Sequence, residues 1–191
     1  MITRTSTVLL EGLKDSSSED AWREFDARYR PLLLAVARRL GLDPVEAEDA
    51  VQETLTAFLI EYRQGRYSRD KGRLRDWLGG ILTHKVRDAQ RRQQRRRTAE
   101  PEAARAESVE ATVHAALEQE WSAAVLRQCL HTVSQEVSPS MYESFELFVL
   151  QQRPAAEVAQ RLGISPESVY QNKRRVLQRI RLLMPEMEAQ W

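Results

Sequence analysis

The chain has 191 residues, of which 42% are hydrophobic and 30% are charged, and its formal net charge is +1. This length suits one large or two small soluble domains, and the nearly neutral overall balance identifies no class of partner. Cys129 is the only cysteine, which excludes an internal disulfide and a cysteine-based metal cluster and fits a reducing cytoplasm.

The N-terminal residues 1–20 contain an apolar run that is too short for a signal peptide or a membrane span. Neither export nor membrane insertion is therefore expected, and residues 1–14 match no pattern that we can assign. Apolar residues then recur at helical spacing, beginning with Trp22 and Phe25 after a serine- and acid-rich start that can cap a helix. Pro31 is expected to end or kink this helix.

Two further helical patterns complete a first domain, which we predict over residues 15–97. The stretch 43–62 begins with Asp43 as N-cap and Pro44 in the first turn, and its apolar stripe leaves acidic side chains outside. The stretch 74–97 repeats the apolar stripe and ends in arginines. From residue 66 to 97, twelve Lys and Arg stand against three Asp and Glu, a local charge of +9.

Residues 98–107 contain no large apolar residue and predict a linker. From residue 98 to 120, six Glu stand against one Arg, a local charge of −5. A long helix with an inward apolar stripe follows and opens a second domain, predicted over residues 108–184. Few glycines and few alternating patterns argue against sheets. The sequence thus predicts an all-α fold of two small helical domains joined by a short acidic linker.

Residues 155–180 have the spacing of a helix-turn-helix motif. Gly163 supplies a left-handed turn, Ser165 caps the next helix and Pro166 fits its first position. The outward face of that helix carries Gln and Arg, the side chains that read base edges in a major groove. The alternative is an ordinary helical hairpin with a solvated basic face.

The basic stretch 73–97 and the acidic face of 43–62 each allow two interpretations. Basic charge attracts phosphates, but a solvated helix end with an arginine tail has the same composition. Clustered carboxylates contact either a basic patch on a partner or the chain's own arginines. We find no nucleophile elbow, phosphate-binding glycine loop or catalytic triad, and no histidine at metal-ligand spacing, so neither an enzyme, a metal nor a cofactor is expected.

Three stretches together resemble bacterial sigma factors. "DPVEAEDAVQETLTAFL" resembles the core helix of region 2, and "KGRLRDWLGGILTHKVRDAQRRQQRRR" is similar to the segment that follows it. "RPAAEVAQRLGISPESVYQNKRRVLQRIR" is similar to the promoter-reading end of region 4. Their order, and the lack of room for further regions, are typical of the compact extracytoplasmic-function (ECF) class.

The resemblance implies a sigma factor that joins RNA polymerase core at its clamp and flap, recognises promoter DNA and aids promoter melting. Many members of this class are held inactive by an anti-sigma factor, so such a regulator is a candidate partner. Three residue sets are implied. The polymerase-binding set is Asp49, Gln52 and Glu53. The set for the −10 element and melting is Lys71, Arg75, His84, Arg87, Asp88, Arg91 and Arg92. The set for the −35 element is Ser168, Gln171, Asn172, Arg174 and Arg175.

Asn172 and Lys173 depart from the basic and apolar residues that are usual at these positions. Two other classes of function stay open at this point. One is a stand-alone helix-turn-helix regulator that uses residues 155–180 only. The other is a helical adaptor whose basic helix binds RNA or a protein.

Overall fold

The computed structural model of the protein describes residues 6–15, 18–68, 70, 72–97 and 106–190. This part of the chain is helical and contains no β-strand, which confirms the predicted all-α class. The chain divides into two compact units, Met1–Ala123 and Ala124–Trp191. Eight α-helices and one π-helical segment are described: α1 Ser6–Lys14, α2 Glu19–Arg39, α3 Pro44–Arg63, α4 Leu74–Arg97, α5 Ala106–Glu136, α6 Pro139–Phe145, the π segment Glu146–Leu150, α7 Ala155–Leu162 and α8 Pro166–Gln190.

The start of α3 follows from its capping residues. Asp43 accepts a hydrogen bond from the backbone N–H of Glu46 at 2.9 Å, and Pro44 occupies the first turn, as predicted. α3 then buries an apolar stripe that includes Phe58, whose ring stacks on that of Phe25 with centroids 5.1 Å apart. This stripe joins α2 to α3 in the core of the first unit.

Pro31 does not end α2, which continues to Arg39. A proline inside a helix removes one backbone hydrogen bond, but α2 buries apolar side chains on both sides of this position, among them Tyr29 and Leu32. Tertiary packing therefore outweighs the local preference that the sequence suggested.

Residues 6–14, to which the sequence assigned no role, form α1 and belong to the first unit. Leu9, Leu10 and Leu13 are buried, and the backbone carbonyl of Leu13 accepts a hydrogen bond from Arg63 Nε at 3.1 Å. α1 therefore adds apolar surface to the domain core.

The division between the units falls inside α5, between Ala123 and Ala124, and thus differs from the predicted boundary at residue 107. Val113, Leu117 and Trp121 are buried, and the ring of Trp121 stacks on Tyr29 of α2 with centroids 5.4 Å apart. The first part of α5 therefore packs within the first unit. Of the predicted linker, residues 98–105 lie outside the described part of the chain.

The second unit contains the turn that the sequence singled out. Gly163 has φ +65° and ends α7, and Ser165 accepts a hydrogen bond from the N–H of Ser168 at 3.2 Å, which caps α8. Beneath the turn, four buried residues form one apolar cluster: Leu147, Val158, Ala159 and Val169. Among the described helices, none combines the length and apolarity needed to cross a membrane.

Candidate nucleic-acid and polymerase interfaces

The face of α8 just after the turn carries the predicted −35 residues. Gln171, Arg174 and Arg175 are exposed and form no hydrogen bond or ion pair with other described residues. Ser168 is half-buried, and its backbone N–H and hydroxyl both lie against the Ser165 hydroxyl. Three polar side chains with free hydrogen-bonding groups thus stand on one short helical segment, which is the arrangement that groove contacts require.

The two departures from the usual pattern, Asn172 and Lys173, are both half-buried. The Lys173 ammonium lies 5.4 Å from the ring centroid of Phe148, which is a cation–π distance, and Tyr170 meets the edge of the same ring with centroids 5.2 Å apart. Lys173 is therefore held by the π segment below. Helical periodicity could not have found this contact, because Phe148 lies on another element.

The later part of α8 is attached to α5 inside the second unit. Arg179 donates from Nη2 to Glu136 Oε1 at 2.9 Å, and its Nε donates to the other carboxylate oxygen. The hydrogen bond from Arg179 lowers the pKa of Glu136 below its ordinary value of 4.5. This two-point contact joins the later part of α8 to the C-terminal end of α5.

The predicted −10 residues on α4 fall into two groups by exposure. His84 and Arg92 are exposed, and Arg91 forms an exposed ion pair with Asp88 at 3.8 Å. Arg75 and Arg87 have side chains only 19% and 20% exposed. Lys71 lies outside the described residues.

Both half-buried arginines of α4 face acidic residues of α5 within the first unit. Arg75 Nη2 lies 3.0 Å from Glu118 Oε2, and Arg87 Nη2 lies 3.5 Å from Glu110 Oε2. Among the described residues of α4, α5 therefore covers Arg75 and Arg87, while His84, Arg91 and Arg92 stay open.

The acidic face of α3 is partly paired within the chain. Arg30 donates hydrogen bonds to Gln52 and Glu48, and its strongest contact, a hydrogen bond with Asp26, raises the pKa of the Arg30 guanidinium. Lys85 of α4 donates to Glu53 at 2.9 Å. Intramolecular pairing, one of the two interpretations of this face, thus accounts for several of its side chains.

Asp49 is the exception on this face. It is exposed and forms no hydrogen bond or ion pair with the rest of the described chain. It therefore keeps its charge available for another molecule. Arg30 binds Glu48 and Gln52, the neighbours of Asp49, and sequence reasoning did not find this role. The only signal in the sequence was the i, i+4 spacing of Arg30 from Asp26.

The aromatic side chain at the start of α4 is part of the domain core. Trp77 is half-buried, its ring meets Tyr67 edge-on with centroids 5.6 Å apart, and its Nε1 donates to Glu61 at 2.9 Å. The loop that precedes α4 is thus attached to α3 and α4 through Tyr67.

Cys129 lies in the second unit and is fully buried, with its Sγ 3.6 Å from the sulfur of Met184. Burial raises the pKa of the thiol above its ordinary value of 9.0. The side chain is therefore a protonated, apolar part of the core.

A comparison with known protein families finds a match within the first unit. Residues 25–96 match the family model "Sigma-70 region 2", and this range covers α3, most of α2 and nearly all of α4. The comparison with curated proteins found no match. Residues 25–96 are therefore similar to the sigma-70 region 2 domain.

Proposed function

We propose that the protein is an RNA polymerase sigma factor of the ECF class, which directs core polymerase to specific promoters and aids promoter melting. The observation that carries this proposal is the region 2 match over residues 25–96, because proteins with this domain bind polymerase core and promoter DNA. A role in transcription initiation follows from it, and the protein would act in the cytoplasm.

The second unit supports the ECF class within this proposal. It follows the region 2 domain without space for another domain of similar size, and it holds the capped turn between α7 and α8. In this proposal α7 and α8 are a helix-turn-helix of region 4. Gln171, Arg174 and Arg175 then read the −35 element, for which their exposure and free donors are suitable.

Promoter recognition by two separate DNA-binding surfaces has a physical advantage. Each surface alone binds DNA weakly, whereas two surfaces on one chain gain affinity only where both sites have the correct spacing. Polymerase core would set that spacing. Asp49 of α3 is the proposed contact to the polymerase clamp, with Gln52 and Glu53 beside it.

The decisive test is capture of purified core polymerase by the full chain, followed by transcription from promoters selected out of a genomic library. The variant Arg174→Ala/Arg175→Ala should retain core binding and lose promoter-specific transcription by at least about tenfold, since each lost base contact costs about 1–3 kcal/mol. Run-off transcription and pull-down measure the two outcomes separately.

A matched control is Arg127→Ala/Arg181→Ala, which removes two exposed arginines of the second unit that lie outside residues 155–180. It should retain most promoter use. Core binding without any promoter-specific transcription would contradict the proposal, and specific DNA binding by a chain that ignores core polymerase would indicate a stand-alone regulator instead.

A further inference from the structure

The first part of α5 lies antiparallel to α4 within the first unit. Glu118 is paired with Arg75 near the start of α4, and Glu110 is paired with Arg87 three turns later. We call Glu110 and Glu118 the covering glutamates. Their positions on α5 place two negative charges on two of the cations that the proposed function assigns to promoter DNA.

An apolar contact holds this part of α5 in place between the two ion pairs. Leu117 is buried, and a Cβ on Gly79 of α4 would lie 3.0 Å from its Cδ2, so the helices approach closely where Gly79 has no side chain. The stacking of Trp121 on Tyr29 adds a second apolar contact. The pairing of the covering glutamates is therefore part of a packed helical interface.

Pairing with the covering glutamates reduces the exposure of the α4 guanidinium groups that a phosphate could bind. The side chains of Arg75 and Arg87 are 19% and 20% exposed, whereas that of Arg91 is 61% exposed. A phosphate must displace a carboxylate to reach either covered guanidinium. Arg75 Nε lies 3.9 Å from Asp76 Oδ1 and is buried without a hydrogen bond, so Glu118 and Asp76 satisfy this guanidinium only in part. A phosphate that binds in two-point geometry would satisfy it better.

We propose that the carboxylates of the covering glutamates act as a removable cover on Arg75 and Arg87, which reduces the affinity of the free protein for DNA until a phosphate displaces them. The inference rests on the proposed function for the identity of the ligand. Ion pairs of partly exposed groups are weak and screened by salt, so a polyanion can displace the two carboxylates while Leu117 and Trp121 stay packed.

The test measures DNA binding of the full chain without polymerase, by fluorescence anisotropy with a labelled single-stranded oligonucleotide over a range of salt concentrations. Glu110→Gln/Glu118→Gln should bind several-fold more tightly than the unmodified chain. If both arginines gain a phosphate, the slope of log K against log salt should become steeper by about 1.4.

The matched control is Glu11→Gln/Glu120→Gln, which removes the same charge from two first-unit glutamates that form no ion pair within the described residues. It should change the slope far less. Adding Arg75→Gln and Arg87→Gln to the covering-glutamate variant should abolish its gain.

Equal affinity and slope in the two glutamate variants would overturn the cover, as would a gain that survives loss of both arginines. Absence of measurable DNA binding in every variant would overturn it too. Because polymerase is absent, these results are independent of the core-capture experiment, and a chain that ignores polymerase can still possess the cover.

Discussion

Among the acidic residues of α3, Asp49 is distinguished by having no partner within the described chain. Glu48 lies 3.4 Å from Arg30, and Glu53 lies 2.9 Å from Lys85, so both neighbours already stabilise their own domain. A carboxylate with an internal partner must lose that partner before it can bind another protein. Asp49 has no such cost and is the strongest candidate on this face for a polymerase contact.

Charge reversal at Asp49 should therefore weaken binding to core polymerase without lowering the stability of the domain. Asp49→Lys is expected to weaken core polymerase binding about tenfold, which corresponds to about 1.4 kcal/mol, and to change the free energy of unfolding by less than about 0.5 kcal/mol. Titration with labelled core enzyme and urea denaturation measure the two quantities.

Glu48→Lys is the comparison, because it places a like charge beside Arg30 and should lower the free energy of unfolding. Unchanged core affinity in Asp49→Lys would mean that the acidic face of α3 serves only the internal pairing of this domain.

At the scale of elements, α4 offers two adjacent glycines in different surroundings. A Cβ on Gly80 would meet nothing within 4 Å, whereas a Cβ on Gly79 would lie 3.0 Å from Leu117 of α5. Glycine inside a helix costs conformational entropy relative to alanine. Substitution of Gly80 therefore tests only the helix propensity of the residue, whereas substitution of Gly79 also tests the contact between α4 and α5.

Gly80→Ala should stabilise the first unit by about 0.5–1 kcal/mol, the ordinary gain of alanine over glycine in a helix. Gly79→Ala should gain less or lose stability, because its methyl group pushes against Leu117. Urea denaturation of both variants gives the comparison. The same gain at both positions would show that α5 does not pack closely on α4.

Sequence patterns predicted the elements whose signals are local. Asp43 with Pro44 marked the start of α3, and Gly163 marked the end of α7, because caps depend on a few neighbouring residues. Of the two effects predicted for Pro31, ending the helix and kinking it, the first is wrong, because burial on both sides of Pro31 outweighs the local rule. The π segment and the contact between Lys173 and Phe148 left no pattern, since a cross-element contact has no fixed spacing in the sequence.

At the scale of the whole molecule, periodicity identified the buried stripe of α5 but not the surface that buries it. Val113, Leu117 and Trp121 recur every four residues, and this spacing shows only that one face is inward. The partner of that face is the first unit, which lies before the predicted linker. The sequence could not predict the burial of Arg75 and Arg87 in the candidate site either, because that burial depends on α5, which is distant in the sequence.

The division between the two units at residue 123 predicts the relative stability of two N-terminal fragments. A fragment of residues 1–123 should be more stable to urea than a fragment of residues 1–97, because only the longer fragment buries Val113, Leu117 and Trp121 in the first unit. Leu117→Ala in the longer fragment should remove much of the gain. Equal stability of the two fragments would mean that the first part of α5 adds nothing to this domain.

The buried sulfur pair of Cys129 and Met184 has a practical consequence for such measurements. A thiolate is the species that reacts with maleimides, and this thiol is both sealed from solvent and kept protonated at neutral pH. The native protein should therefore stay unlabelled while it is folded. A cysteine introduced on the exposed surface of α5 or α8 could then carry a fluorophore alone, with the natural residue left in place.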